Sequence, residues 1–228
     1  MKTATLILYT AASLALGSFP VHGQNPAPPP VPASVPAPVP PSAPAPAPET
    51  EPIPAELTSS GQILVDGRLS PYVIHHLPVS SFPELPDGIR NQLDQRGCVI
   101  PQTYEAHRPE NVIHASFEGS GSSDWAVLCT SEGTVSLLVF FTDNSSQPFT
   151  LASAPETERL QAHDPTGVLG FNWGIDPASP DQVHEAQADM LHRPPRLDHD
   201  ALADTLVDHK IVYRYYLRSS WIVLVMKD

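Results

Sequence analysis

The feature that most constrains this chain is a proline-rich segment near its N-terminus. From Pro26 to Pro54 about every second residue is proline, mostly in Pro-Ala and Pro-Val pairs. Proline fixes φ and lacks a backbone N–H, so neither a helix nor a β-ladder can form there. Residues 24–54 are therefore predicted as a Pro/Ala-rich linker, either disordered or an extended polyproline II spacer. The remaining residues, 55–228, are predicted to form a single globular domain.

Residues 1–23 have the three-part layout of a cleavable signal peptide. Lys2 supplies a positive n-region, an apolar stretch runs from Leu6 to Leu16, and Val21-His22-Gly23 precedes the expected cleavage site. The apolar stretch is shorter than the roughly 20 residues that a membrane-spanning helix needs. The mature chain is therefore predicted to be secreted or periplasmic, with no transmembrane span. The alternative is an uncleaved membrane anchor.

The charge of the chain narrows the class of partner. The formal net charge is −13 at pH 7, and nearly all of it lies in the predicted domain. A strongly acidic domain repels nucleic acid and anionic membrane surfaces. The expected partner is thus a protein, a glycan or another envelope component. The charge is compatible with a basic protein or a bound cation, and equally with solubility alone.

Cys98 and Cys129 are the only two cysteines in the chain. An even number of cysteines in an exported protein suggests pairing, and two cysteines allow one intramolecular connectivity. A Cys98–Cys129 disulfide is therefore predicted. The alternative is a pair of buried free thiols.

The hydrophobic pattern predicts an α+β fold with a mainly antiparallel sheet and two or three short helices. Leu85, Ile89 and Leu93 are spaced for one helix face, and Ser179-Pro180-Asp181-Gln182 is a typical helix start. The second helix is expected to continue to His192, with Met190 and Leu191 on its apolar face. Alternating or continuous apolar runs predict strands at residues 62–67, 72–77, 111–117, 125–130, 134–142, 149–152 and 168–173. A C-terminal β-hairpin is predicted from the runs 210–217 and 221–226.

One predicted loop resembles a calcium-binding unit. Residues 115–127 resemble the strand-loop-strand segment of FG-GAP repeats, in which Asp and Asn side chains bind Ca²⁺. The glycines and Asp124 fall in register, but Ser116, Glu118 and Ser120 stand where that pattern has Asp or Asn. Calcium requires six to eight oxygen ligands, several of them carboxylates. Glu118 and Asp124 are therefore predicted to mark a degenerate loop that keeps the turn and has lost the ion.

A second acidic segment raises the same question. Asp198, Asp200 and Asp204 have spacing like that of a calcium loop, and His199 adds a further ligand for a divalent metal. The competing interpretation is that Asp200 caps a short helix whose apolar residues are Leu202 and Leu206. No cofactor is expected, and Ca²⁺ or another divalent metal at these residues is the alternative.

Catalytic motifs are sparse. No serine lies in a GxSxG motif, and the His184-Glu185 pair lacks the second histidine of a metalloprotease helix. A hydrolase would need two of the scattered histidines (His163, His184, His192 and His199) to meet carboxylates in a pocket. Among the tryptophans, Trp173 is the best candidate for an exposed carbohydrate contact.

Four stretches together resemble a group of uncharacterised exported bacterial proteins. They are residues 96–102 (RGCVIPQ), 111–113 (NVI), 124–129 (DWAVLC) and 197–200 (LDHD). The resemblance implies that both cysteines belong to one structural unit, and it implies no activity. The first functional hypothesis is therefore a non-enzymatic binding or interaction domain in the cell envelope or outside the cell. The alternatives are an exported hydrolase with a His/Asp/Glu site and an acidic inhibitor of a basic protein.

Overall fold

Two β-sheets and two short α-helices make up the described part of the fold. The computed structural model describes residues 57–142, 147–163, 165–208 and 210–226, so the predicted signal peptide and linker lie outside the described residues. The helices are α1 (Asp87–Gln95) and α2 (Pro180–Ala186). The strands are β1 (Thr58–Val65), β2 (Arg68–Pro78), β3 (Val99–Gln102), β4 (Val112–Ala115), β5 (Asp124–Ser131), β6 (Thr134–Phe140), β7 (Phe149–Pro155), β8 (Leu160–Ala162), β9 (Leu169–Phe171), β10 (Trp173–Ala178), β11 (Ala201–Leu206), β12 (Lys210–Leu217) and β13 (Ser220–Val225).

The first sheet contains nine strands and the second contains four. The order in the first sheet is β7-β6-β5-β3-β2-β9-β8, with β1 paired to β2 and β4 paired to β5. The order in the second sheet is β10-β11-β12-β13. Only the β2–β9 pair among the described strands is parallel. The predicted α+β fold with a mainly antiparallel sheet is therefore confirmed, and the first sheet is mixed.

The residue pattern of β5 explains how the first sheet carries a core on each face. Successive side chains of a strand point to opposite faces. Trp125, Val127 and Cys129 pack in the core that includes α1, whereas Ala126 and Leu128 pack in the core shared with the second sheet. β5 is consequently buried along almost its whole length and reads as a continuous apolar run.

The second sheet is covered on its other face by α2. Leu202 of β11 belongs to the core between the sheets, and Ala201 and Ala203 pack with Val183 of α2. The domain is thus layered in the order α1, first sheet, second sheet, α2. Within the described residues, no helix is long and apolar enough to cross a membrane.

The predicted start of α2 is confirmed, but α2 is shorter than expected, and in the first helix Ile89 and Leu93 lie in α1 whereas Leu85 precedes it. Ser179 and Gln182 form the reciprocal capping box, with the Ser179 side chain accepting from the Gln182 N–H. The helix ends at Ala186, because the Gln187 N–H bonds the carbonyl three residues back, a tightened turn. Met190 and Leu191 therefore lie outside the helix, and Leu191 is 94% exposed.

The prediction that Asp200 caps a helix is wrong, because residues 201–206 form β11. Leu202 and Leu206 are four residues apart, and that spacing places two side chains on one face of a strand as well as of a helix. Both leucines do share one face, packed in the core between the sheets. Strands β10 and β12 flank β11 on either side.

The disulfide and the C-terminal hairpin are confirmed. Cys98 and Cys129 are bonded, with a Cα–Cα distance of 5.2 Å, and both are buried. Strands β12 and β13 pair directly around Arg218 and Ser219, which both have positive φ as a type I′ turn requires. A disulfide is compatible with an exported protein.

Candidate functional site

The calcium-like loop is organised around a carboxylate that binds N–H donors. Asp124 is 0% exposed, and its Oδ2 accepts hydrogen bonds from the backbone N–H groups of Phe117 at 2.9 Å and Glu118 at 2.8 Å. Its Oδ1 accepts from the N–H of Thr142 at 3.1 Å. The convergent groups are donors, whereas a Ca²⁺ ion needs a shell of oxygens. The structure therefore gives Asp124 a structural role, and the Glu118 residue is exposed at the loop surface.

In the second predicted metal segment, residues 198–204, the acidic side chains and His199 contact different partners. Asp200 bonds the loop residue Ser116, whose N–H lies 3.1 Å from the Asp200 Oδ2. Asp204 accepts from the Trp173 Nε1–H at 2.6 Å and pairs with Arg214 at 2.7 Å. Asp198 is exposed, and the buried His199 contacts the carbonyl of Asp200 through Nδ1 at 3.0 Å. Across the described ranges, no group of three or more His, Cys, Asp or Glu side chains is arranged to hold a metal ion.

The histidines of the hydrolase hypothesis have separate surroundings. His163 stacks on Tyr104 with ring centroids 4.8 Å apart, and His192 is exposed. His184 is half-buried, and its carbonyl accepts from Arg193. The structure gives no hydrogen bond between any two of the four, as far as the described residues extend.

Trp173 corrects the expectation of an exposed carbohydrate contact. Its side chain is 0% exposed and lies in the core between the sheets. The guanidinium of Arg159 sits over its ring at 4.3 Å, and its N–H is taken by Asp204. Trp173 is therefore a core residue, as is usual for a tryptophan on an apolar strand.

One concave feature that the structure describes is a groove of about 610 Å³. It lies between the segment that joins β3 to β4 and the strands β10 and β11. We call it the inter-sheet groove. Its described lining residues are Thr103, Glu105, Arg108, Pro109, Glu110, Asn111, Val112, Ile113, Gly174, Ile175, Asp176, Thr205, Val207 and Asp208. A groove of this volume is in the range of ordinary ligand sites.

Asn111 holds the two sheets together at the groove. Its side-chain Nδ2 donates to the carbonyls of Pro101 at 2.7 Å and Trp173 at 3.3 Å, and its Oδ1 accepts from the Ile175 N–H at 3.1 Å. Its backbone is left-handed, with φ of 68°, a conformation that asparagine adopts more readily than most residues. One buried side chain thus fixes the position of β10 relative to β3.

The segment 103–110 forms a wall that is tied at both ends. Gln102 closes it, since the Gln102 amide donates to the Glu110 carbonyl at 3.2 Å and accepts from the Glu110 N–H at 2.9 Å. Tyr104 anchors its start, because the Tyr104 N–H bonds the Phe171 carbonyl at 2.9 Å. Gly170 leaves room for this contact, because a Cβ there would lie 2.6 Å from the Tyr104 Cβ.

The groove is lined by four carboxylates and a single described cation. The carboxylates are Glu105, Glu110, Asp176 and Asp208, and the cation is Arg108. Desolvation in the groove raises the pKa of Asp176 above its ordinary value, and the attraction of Arg108 only partly offsets this. A carboxylate in such a position gains from a further cation.

One groove carboxylate is engaged at the rim. The hydroxyl of Tyr104 donates to Asp208 Oδ2 at 3.2 Å. Desolvation first, and then this hydrogen bond and the Asp208 charge, raise the pKa of Tyr104 to about 12. The tyrosine is thus a neutral donor at the edge of the groove.

A second, smaller cavity of about 290 Å³ lies near the turn that joins β5 to β6. Its buried residues include His76, Thr130 and Glu156. The Oε1 atom of Glu156 is 2.7 Å from His76 Nε2 and 2.6 Å from Thr130 Oγ1. This cluster is separate from the inter-sheet groove, because the two share no described lining residue.

Sequence reasoning missed both sites. His75 and His76 attract attention as a pair, but the partner of His76 is 80 positions away in the chain. Asn111 and Gln102 lie in stretches that resemble uncharacterised exported proteins, but that resemblance implies no role for them, and their roles depend on contacts distant in the sequence. A scan against protein-family models and searches among curated proteins and solved structures found no match to this chain.

Proposed function

We propose that this chain is an exported, non-enzymatic binding domain whose inter-sheet groove takes a lysine- or arginine-bearing segment of a partner protein. The observation that carries the proposal is the groove itself, a space of about 610 Å³ with four carboxylates and one guanidinium in its lining. A cationic side chain that enters there meets opposite charge on more than one wall. Electrostatic complementarity of this kind increases both the association rate and the specificity of binding.

The lining supports binding more than catalysis. Its described members include no histidine, cysteine, serine or lysine, and the acid–base groups that it does contain are carboxylates. The threonine hydroxyl of Thr103 already donates to Glu110 Oε2 at 2.8 Å. A pair of carboxylates can itself act as acid and base, but two of the four in this groove, Glu110 and Asp208, already accept hydrogen bonds from hydroxyls of the wall.

The surroundings of Asp176 indicate the charge of the ligand. Partial burial raises its pKa although the residue remains exposed to solvent, and its carboxylate accepts no hydrogen bond from the described part of the chain. A partner ammonium or guanidinium would replace the lost solvation with a direct ion pair. The net charge of −13 favours a basic partner at long range as well. The recessed shape supports a groove ligand over the flat contact of an acidic inhibitor.

Export is part of the same proposal. The signal-like residues 1–23, the proline-rich residues 24–54 and the Cys98–Cys129 disulfide are together typical of an exported chain. In that setting the partner is a basic protein of the envelope or the medium.

The test uses a fluorescein-labelled lysine-rich peptide and a glutamate-rich peptide of the same length, titrated with the full chain. The groove variant Glu105→Gln/Asp176→Asn should bind the basic peptide roughly tenfold more weakly, as the loss of two charge contacts implies. The control variant Glu84→Gln/Asp94→Asn removes the same charge on the α1 side of the domain. It should change the affinity less than about twofold. An equal loss in the two variants would show that overall charge, and not the groove, attracts the peptide.

A further inference from the structure

In the buried Glu156 carboxylate, one oxygen accepts hydrogen bonds and the other has no partner among the described residues. Glu156 is 7% exposed, and Oε1 receives both Thr130 Oγ1 and His76 Nε2. Oε2 has no hydrogen-bond partner among the described residues. It is also absent from the set of fully buried polar atoms that lack a partner, so some of its surface is accessible. It therefore opens to the cavity that Glu156 lines. Buried carboxylate oxygens are normally satisfied, so a donor is expected at this atom.

His76 does not supply the missing donor, because both of its ring nitrogens are engaged. Nε2 faces Oε1 of Glu156 at 2.7 Å, and Nδ1 lies 3.0 Å from the carbonyl of Leu57. A carbonyl and a carboxylate oxygen both accept, so each ring nitrogen donates to its own partner and neither is available to Oε2. His76 therefore acts as a positioning residue that fixes the Glu156 carboxylate in one orientation.

The remaining lining defines the ligand class. Glu132 adds a second carboxylate at the rim, and no lysine or arginine lines the described part of the cavity. A protonated His76 would neutralise one carboxylate, which leaves the lining negative. The described lining also contains no phenylalanine, tyrosine or tryptophan on which a sugar ring could stack. A donor with positive charge thus fits better than a neutral hydroxyl.

We propose that this cavity is a binding site for a small primary ammonium group, held by Glu156 Oε2 and attracted by Glu132. The volume of about 290 Å³ limits the ligand to a compact molecule or the end of a flexible amine. The site is independent of the inter-sheet groove, which is proposed to take a protein segment.

The experiment titrates the isotopically labelled full chain with the four-carbon diamine putrescine and, separately, with neutral butanediol at matched ionic strength. Putrescine should give saturable shifts of the backbone amides of Gly97, Ser131 and Gly133, which line the cavity. Butanediol should give none of comparable size. Diamine shifts confined to groove residues such as Gly174, equal shifts with butanediol, or no saturable shifts would each overturn the proposal.

Two variants distinguish ligand binding from the fold. Glu156→Gln keeps the size of the side chain and should weaken putrescine binding at least tenfold. Glu132→Gln alters only the exposed rim and should weaken it about threefold, with an unchanged unfolding midpoint. The groove variant Asp176→Asn should leave diamine affinity unchanged, so failure here is separable from failure of the proposed function. Full diamine affinity in both cavity variants would refute the assignment.

Discussion

Asp124 and Asp176 are the same residue type in opposite surroundings. Asp124 is fully buried and accepts backbone N–H groups from Phe117, Glu118 and Thr142. Asp176 lies on β10 in the groove, where Arg108 acts on it only through charge and desolvation raises its pKa. The difference is that hydrogen bonds within the fold occupy the Asp124 carboxylate, whereas the Asp176 carboxylate is the one that the proposed function assigns to a ligand.

The physical reason lies in solvation. A carboxylate removed from water is tolerated only when hydrogen bonds replace the water, and a closed loop can supply these permanently. A carboxylate in an open groove keeps part of its water. The same formal charge therefore contributes to stability at Asp124, and under the proposed function it would contribute to binding at Asp176.

The sharpest way to break this comparison is to remove each carboxylate in turn. Asp124→Ala should lower the free energy of unfolding by about 3–5 kcal/mol, because several buried N–H groups lose their acceptor. Asp176→Ala should change it by less than about 0.5 kcal/mol. Urea unfolding followed by circular dichroism measures both values. Similar losses at the two positions would contradict the division of roles.

The sequence predicts the local elements well where a residue pattern is compatible with only one type of structure. The β5 run, the Ser179–Gln182 capping box and the cysteine pair each follow from neighbouring residues or a single connectivity. The helix predicted after Asp200 is wrong for a definite reason. Leu202 and Leu206 satisfy helix and strand spacing alike, and only the flanking strands β10 and β12 decide between them.

The candidate sites depend on contacts that no local pattern contains. Glu156 reaches His76 across 80 positions, and Asn111 reaches Ile175 across 64. Asp124 stands at the position of a calcium ligand, but its partners are N–H groups whose direction only the folded loop defines. Residue type alone therefore identifies the carboxylates, and geometry decides what each one binds.

Two arginine–aspartate pairs with the same nitrogen–oxygen distance extend the comparison between buried and exposed carboxylates. Arg214–Asp204 and Arg196–Asp181 both have nitrogen–oxygen distances of 2.7 Å, but the first is largely buried and the second is exposed. Arg214→Ala should lower the free energy of unfolding by about 2–3 kcal/mol, since a buried carboxylate loses its cation. Arg196→Ala should lower it by less than about 1 kcal/mol. The same urea measurement tests the pair, and equal effects would mean that burial does not set their contribution.

The smallest expected effect concerns pH and the groove. Because the pKa of Asp176 is raised in the folded state, its ionised form opposes folding, and the opposition disappears as pH falls through the raised pKa. Asp176→Asn should therefore be slightly more stable than the unmodified chain at about pH 7, by roughly 1 °C in Tm, because solvent screens most of the effect. The gap should close towards about pH 3, where the carboxyl is protonated in both folded and unfolded chains. A gap that keeps its size on acidification would argue against a desolvated carboxyl. If the groove binds a cationic segment, saturation with the lysine-rich peptide should also remove the difference in Tm at neutral pH. The bound peptide would then place a positive charge beside the Asp176 carboxylate.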